Sequence, residues 1–193
     1  GKVRLPEFLQ QKLAPKDGII VEVPSTYQEY HRQLPEFSSE EEELKYLSNK
    51  HQYSITDGKQ VGTHQGAHYF TKGQRKGLHI GGTPEPLFVI DTDVIDNVIY
   101  TGQGKMHPGL YRRGLFVKNH EAHWVRNDLE IEEGEAMEVM ACIRYRQKLE
   151  KAILHKTSSG LYVIFEKPQS AITEGQFVAW YSGEELVGSG VIA

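Results

Sequence analysis

The sequence is poor in cysteine and has no long apolar run. Its 193 residues include a single cysteine, Cys142, so no disulfide can form within the chain and a reducing compartment is expected. The longest apolar stretches span only a few residues, against the roughly 20 needed to cross a bilayer, and the first residues carry no signal-peptide core. These absences predict a cytoplasmic protein without a membrane partner. Because the chain has no initiator Met, we expect it to be a piece of a longer protein.

Helical patterns are confined to the first third of the sequence. Leu5 to Leu13 places its leucines and a phenylalanine on one face at helical spacing. A capping box that begins at Ser38 or Ser39 predicts a second helix that reaches about Asn49. From Asp57 onward glycine is frequent and short β-rich runs replace the helical periodicity.

Two groups of strands are predicted in the remainder. Leu87 to Ile90 and Val98 to Thr101 indicate two strands joined by a polar turn. After about Leu115 the runs become regular and are separated by short Gly-, Ser- and Pro-containing breaks. They comprise Ala136 to Arg146, Leu149 to Lys156, Leu161 to Lys167, Gln176 to Tyr181 and Leu186 to Ile192. The sequence therefore predicts a mainly β protein with a few helices that ends in a small antiparallel β-barrel.

No metal, nucleotide or catalytic site is predicted. His64 and His68 have the spacing of a helical zinc pair, but their glycine-rich surroundings indicate extended or looped chain, on which they would lie too far apart. The run from Gly102 to Met106 lacks the spacing and the Ser or Thr of a phosphate loop. Cys142 lies beside two arginines that could activate a thiol, yet a small residue packed in a barrel wall is the favoured interpretation.

Charge distribution is more informative than net charge, which is −4. Residues 58–84 and 97–120 contain no acidic residue, and residues 144–156 carry five basic residues against one acidic residue. Tyrosines lie among these basic stretches, a combination that suits phosphate contact with base stacking. For the first stretch, a neutralised surface that faces another domain remains an alternative.

Several motifs resemble those of one enzyme family. They are the string from Gly62 to Gly66, the run from Phe70 to Gly82 with its G-Q-R-K-G-L core, Arg144 to Gln147, and Ala171 to Gln176. In this order they resemble the bacterial tRNA-specific 2-thiouridylase (MnmA) family over most of the chain. The resemblance implies a central domain at residues 1–114, with an N-terminal helix and an insertion at about 21–56, followed by a C-terminal β-barrel at 115–193.

The resemblance also implies an activity for the full-length protein. Family members make 2-thiouridine at the wobble position of tRNA, using ATP (with magnesium) and a persulfide sulfur donor that an upstream sulfur-relay protein supplies. This chain looks like the tRNA-binding C-terminal portion. It lacks the S-G-G-x-D-S loop of the ATP-binding domain, and the family's catalytic cysteines precede the matched region. We therefore expect neither a catalytic residue nor a cofactor in this part.

Candidate tRNA contacts come from the same motifs. Arg144, Tyr145 and Gln176 match family residues that contact tRNA, and we add Arg75 and Lys76 from the G-Q-R-K-G-L loop. For that loop, the alternative is a structural role in holding the central domain against another one.

One departure from the family pattern questions whether the loop conformation is preserved, because His79 stands where the family usually has a glycine. A competing hypothesis for the whole chain is a non-catalytic RNA-binding barrel module that resembles translation-factor domains. Methyl transfer to tRNA is a third possibility, with no motif to support it.

Overall fold

A computed structural model describes residues 16–193, so the predicted helix from Leu5 to Leu13 lies outside the described residues. The chain forms two compact units. The first unit comprises the described residues up to Gln33 and His51–Leu110, and the second unit comprises Leu34–Lys50 and Tyr111–Ala193. The domain limits implied by the family resemblance stay a prediction. In the described part, no helix is both long and apolar enough to span a membrane.

The first unit is built on a four-stranded mixed sheet. Its strands are β1 (Gly18–Glu22), β2 (Lys59–His64), β3 (Leu87–Asp93) and β4 (Val98–Gln103). Their spatial order is β2-β1-β4-β3, and β1 pairs with β4 in parallel while the other pairs are antiparallel. Ile20, Val89 and Ile99 are fully buried in its core. The predicted strand pair with a polar turn is thus confirmed, and both strands extend two or three residues beyond the predicted ends.

A buried asparagine links separate segments of the first unit through hydrogen bonds. Asn97 lies in the turn between β3 and β4 with a φ of 57°, a conformation that asparagine tolerates better than most residues. Its Oδ1 accepts a hydrogen bond from the Ala67 amide (2.9 Å), and its Nδ2 donates to the carbonyls of Lys16 and Asp17 (both 2.8 Å). One side chain therefore joins three separate stretches of backbone.

An aromatic cluster holds residues around the predicted insertion. The hydroxyls of Tyr30 and Tyr53 are hydrogen-bonded at 2.8 Å. The Tyr30 ring packs edge-on against His107 (centroids 5.4 Å apart), and Tyr53 packs against Tyr100 (5.4 Å). Burial raises the pKa of both Tyr30 and Tyr53 above the usual tyrosine value. These rings anchor irregular chain where little regular secondary structure is available.

The second unit contains the one α-helix of the described residues, α1 (Glu40–Ser48). Its N-cap is Ser39, whose hydroxyl accepts from the Glu42 amide (3.3 Å). The Glu42 carboxylate accepts from the backbone and hydroxyl of Ser38 (2.8 and 2.7 Å). The predicted helix is confirmed, and its buried Leu44 packs in a cluster with residues of the neighbouring sheet.

That sheet has seven antiparallel strands. They are β5 (Tyr111–Lys118), β6 (Ala122–Trp124), β7 (Ala136–Cys142), β8 (Glu150–Lys156), β9 (Gly160–Ser170), β10 (Phe177–Ser182) and β11 (Glu185–Val191). Their order is β5-β9-β8-β7-β10-β11-β6. The sheet curls back on itself, since the Ala193 amide, just beyond β11, donates to the Phe116 carbonyl of β5 (2.9 Å). Trp180, Phe165 and Leu154 are fully buried inside the curl.

The fold class is therefore confirmed, with one correction to a strand. The predicted strand from Ala136 to Arg146 ends at Cys142. Up to Ile143 the predicted alternation holds, because Val139, Ala141 and Ile143 are buried. Beyond that point the chain turns, because the Ile143 amide donates to the Gln147 side-chain oxygen (3.2 Å) instead of to a neighbouring strand. The expectation that Arg144 projects from a strand is wrong.

Candidate RNA-binding surface

Two turns of the second unit contain the residues that are predicted to contact tRNA. In the first, here called the 144–147 turn, the Gln147 amide donates to the Arg144 carbonyl (3.1 Å), which leaves Tyr145 at the tip. In the second, the 173–176 turn, the Gln176 amide donates to the Thr173 carbonyl (3.3 Å). Gly175 has a φ of 79° there, the conformation that a type II turn requires at its third residue.

Side-chain hydrogen bonds tie the 144–147 turn to the chain that leads into the 173–176 turn. Nη2 of Arg144 donates to the carbonyls of Ser170 (2.8 Å) and Ala171 (3.0 Å). Nε2 of Gln147 donates to the side-chain oxygen of the buried Gln169 (2.6 Å). Because Ala171 itself has a φ of 53°, this segment is a specific bend rather than a continuation of β9.

The predicted contacts of the second unit remain open to solvent. Tyr145 is 96% exposed. Within residues 16–193, neither Nε nor Nη1 of Arg144 has a hydrogen-bond partner, and the exposed Gln176 side chain has none either. The structure thus brings Arg144, Tyr145 and Gln176 to the same end of one sheet. Because Arg144 and Tyr145 lie on a turn that follows β7, they are not held on opposite faces of a strand.

Arg75 and Lys76 lie on a loop of the first unit that a neighbouring glutamine holds in shape. Oε1 of Gln74 accepts from the Thr71 amide (3.1 Å), and its Nε2 donates to the Lys76 carbonyl (2.8 Å). The Gln74 backbone also bonds to Val89 of β3 (2.9 Å). Gln74 is therefore structural, while Arg75 and Lys76 are exposed.

His79, in the same loop, has a left-handed backbone conformation. Its φ is 53°, within the left-handed region that favours glycine. A glycine, which the family resemblance implies at this position, would adopt this conformation without strain.

The basic side chains of these turns have no acidic partners in the described part of the chain. This holds for Arg75, Lys76, Arg144, Arg146 and Lys148. The ion pairs form elsewhere, as between Arg126 and Glu185 or between Lys45 and Glu41. Unpaired cations on exposed turns leave a positive potential that can attract phosphate.

Other basic residues of the predicted stretches have structural roles. Arg112 donates to the Ser48 carbonyl at the end of α1 (3.0 Å). Lys156 is largely buried and pairs with Glu130 at 2.8 Å. Not every basic residue of these stretches is therefore a candidate for RNA contact.

The run from Gly102 to Met106 is part strand and part turn. Gly102 and Gln103 belong to β4, and the carboxylate of Glu85 lies directly against Gly104. A carboxylate at this backbone would repel phosphate, so the run from Gly102 to Met106 is not a phosphate loop.

His64 and Cys142, both singled out in the sequence, take structural positions. His64 ends β2 and accepts a hydrogen bond from the Gly66 amide at Nδ1 (2.9 Å); burial lowers its pKa. No group of three or more potential metal ligands occurs among residues 16–193. Cys142 is half-buried, and burial raises the pKa of its thiol, which is opposite to what a reactive cysteine needs.

Sequence reasoning missed one exposed aromatic residue at this surface. Phe177 directly follows Gln176 and is 66% exposed. The signal was available, because Phe177 alternates with the buried Val178 at the start of a strand and so points outward.

Comparison with known proteins shows which family the chain belongs to. A family model described as an aminomethyltransferase beta-barrel domain matches residues 113–192, and one described as a tRNA methyl transferase PRC-barrel domain matches residues 45–103. The tRNA-specific 2-thiouridylases MnmA of Christiangramia forsetii and Flavobacterium johnsoniae are 64% and 62% identical over all 193 residues, which are 49% of each relative. That of Halalkalibacterium halodurans is 44% identical over 137 residues, 70% of this chain and 36% of the relative. The chain thus spans about half the length of the curated relatives that match it throughout, and it belongs to the tRNA-specific 2-thiouridylase family as its C-terminal portion.

Proposed function

We propose that this chain is the tRNA-binding C-terminal part of a tRNA-uridine 2-sulfurtransferase, an enzyme that makes 2-thiouridine at the wobble position. The family membership supports the substrate, since the relatives are named tRNA-specific 2-thiouridylases. The chain spans about half the length of these relatives. On this proposal, the remaining half of the enzyme contains the catalytic residues. On this proposal the protein acts in the cytoplasm, where its tRNA substrate is found.

The chain's own contribution is to position the tRNA. ATP with magnesium and a persulfide sulfur donor serve the full-length enzyme, and an upstream sulfur-relay protein supplies the sulfur. Residues of this chain bind and orient the nucleic acid so that its target uridine enters the active site. Orientation of this kind can lower a reaction barrier by several kcal/mol without any catalytic side chain.

One observation carries the proposal: an arginine, a tyrosine and a glutamine on two linked turns each keep groups that are free to contact RNA. Nε and Nη1 of Arg144 can donate to a phosphate while Nη2 stays on the protein backbone. The exposed ring of Tyr145 can stack on a base, and the amide of Gln176 can both donate and accept hydrogen bonds. Together these three side chains suit contact with phosphate, base face and base edge.

Arg75 and Lys76 are proposed as a second group of contacts. Their loop is fixed by the Gln74 side chain, so both cations are held at a defined place without being neutralised. Long-range attraction of tRNA phosphates is the expected consequence.

The test is equilibrium binding of tRNA to single variants of the 193-residue chain. Arg144→Ala should weaken binding by about 2 kcal/mol, roughly 30-fold, because hydrogen bonds to a charged group are among the stronger ones. Gln176→Ala should weaken it by about 1 kcal/mol, roughly fivefold. The Tm should be unchanged for Gln176→Ala. It should fall by a few degrees at most for Arg144→Ala, because only the two bonds of its guanidinium to the Ser170 and Ala171 carbonyls are lost.

Lys118 provides a charge-matched control. It is exposed and pairs with Gly160 at the end of the sheet opposite to Ser170, the residue that Arg144 contacts. Lys118→Ala should therefore leave tRNA affinity within about twofold of the wild type. Equal losses for Lys118→Ala and Arg144→Ala would mean that binding depends on overall charge and not on these turns, which would contradict the proposal.

A further inference from the structure

We propose that Phe177 binds the RNA together with Tyr145, and that the two rings form a stacking surface for an unpaired nucleotide. This inference rests on the proposed function and deepens it. No motif that we assigned to tRNA contact includes Phe177. Its exposure, its place in the sheet and the charge around it support the role.

The exposure of both rings is unusual for aromatic residues of this size. Tyr145 is 96% and Phe177 is 66% exposed, although phenylalanine is commonly buried. Within residues 16–193, neither ring contacts another aromatic ring. Both therefore present a free face to solvent, which burial against a partner would stabilise.

The strand register brings the two rings to the same end of the sheet. Ala179 of β10 pairs with Cys142 of β7 in antiparallel fashion, and this is the last pair of the two strands at that end. Phe177, two residues before Ala179, and the 144–147 turn, which follows Cys142, therefore lie at the same end of the sheet. A second link is independent of this pairing, since Arg144 bonds to the Ser170 and Ala171 carbonyls at the start of the bend that leads into Phe177. Tyr145 adjoins Arg144 along the chain.

Charge decides which kind of partner this surface fits. Residues 143–149 contain Arg144, Arg146 and Lys148 and no acidic residue. The nearest acidic residue of the neighbouring turn, Glu174, has Lys50 at 3.6 Å. Exposed aromatic rings interleaved with unpaired cations are the pattern of single-stranded nucleic-acid binding, in which bases stack and phosphates pair with basic side chains. An apolar protein partner would not require the three cations.

The experiment measures tRNA binding by the 193-residue chain with Phe177→Ala, Phe177→Leu and Phe177→Trp. Loss of a stacked base should weaken binding about tenfold in the Ala variant, and the Leu variant should be similarly weak although it keeps apolar bulk. The Trp variant should restore affinity. The salt dependence of binding should match the wild type in all three, because no phosphate contact is removed.

Ile153→Ala is the matched control, since Ile153 is an exposed apolar residue (40%) on β8 of the same sheet. Its affinity should equal that of the wild type. A double variant, Tyr145→Ala with Phe177→Ala, should lose less affinity than the product of the two single losses, because both rings serve one base.

The outcomes separate this inference from the proposed function. If Phe177→Ala binds tRNA as tightly as the wild type while Arg144→Ala binds more weakly, the stacking surface is overturned. Phe177 would then be assigned to a contact with another protein. Wild-type tRNA affinity in Phe177→Leu would also overturn the stacking surface, because apolar side-chain volume alone would then explain the binding. If Arg144→Ala and Tyr145→Ala bind as tightly as the wild type too, the proposed function itself fails.

Discussion

The two units are stabilised in different ways. The second unit encloses a large apolar cluster with Trp180, Phe165 and Leu154 at its centre. The first unit has a smaller apolar cluster and buries hydrogen-bonded polar side chains beside it, notably Asn97 and His107. A short sheet with long irregular connections leaves backbone groups that need partners, and these side chains supply them.

This difference predicts where each unit is vulnerable. Apolar packing is insensitive to pH and tolerates replacement by residues of similar volume. A buried asparagine or histidine has specific partners, so its loss leaves donors or acceptors unsatisfied. We therefore expect the first unit to respond more sharply to single polar substitutions and to acid than the second.

The largest effect on stability is expected for Asn97→Gly. Glycine suits the left-handed backbone, but the change removes three side-chain hydrogen bonds and leaves the Ala67 amide without its acceptor. We expect the free energy of unfolding to fall by about 2 kcal/mol in urea titrations.

His79→Gly is the control for Asn97→Gly, since His79 has a similar φ of 53° but an exposed side chain without a hydrogen bond in the described part. This variant should gain up to about 1 kcal/mol. A gain in both variants would show that Asn97 is held only by its backbone conformation, against the view that its side chain links separate segments of the first unit.

A smaller effect on the stability of the first unit is expected when the pH is lowered. Burial lowers the pKa of His107 and of His64, so both rings take up a proton less readily in the folded chain than in the unfolded chain. Their contribution to stability is full above the unfolded pKa of about 6.5 and is lost as the pH falls through that value toward the folded pKa. Amide exchange, corrected for intrinsic rates, should show weaker protection of β2 and β4 at pH 5.5 than at pH 7.5, with less change in β8 and β9.

His107→Gln tests the source of this pH effect. The neutral ring of His107 accepts from the Gly109 amide (3.2 Å) and bonds to the Val23 carbonyl (3.1 Å), and glutamine can both accept and donate without titrating. The variant should lose part of the acid sensitivity of the first unit. An unchanged acid response would assign the effect to other groups.

Much of the fold was predictable because local rules agree with the final structure. Alternation of apolar residues located most strands of the second unit, and the Ser39 cap located α1. The candidate contacts stay a prediction from motifs, since the string at Arg144 and the turn at Gln176 are distinctive.

The parts that were missed depend on long-range hydrogen bonds. Alternation continues through Arg144 and Arg146 in the sequence, but the Gln147 side chain bonds to Ile143 and to Gln169 and turns the chain instead. Sequence spacing carries no information on such partners. For the same reason, Asn97 could not be distinguished from any polar turn residue.

The most direct test of the central claim is the salt dependence of tRNA binding by the 193-residue chain. If Arg75, Lys76, Arg144, Arg146 and Lys148 all contact phosphates, the logarithm of the association constant should fall against the logarithm of salt concentration with a slope of about −3.5 to −4.5. Arg144→Ala should reduce the magnitude of that slope by about 1. A nearly flat response in the wild type, or the same slope in both proteins, would contradict the claim that these exposed turns hold the tRNA backbone.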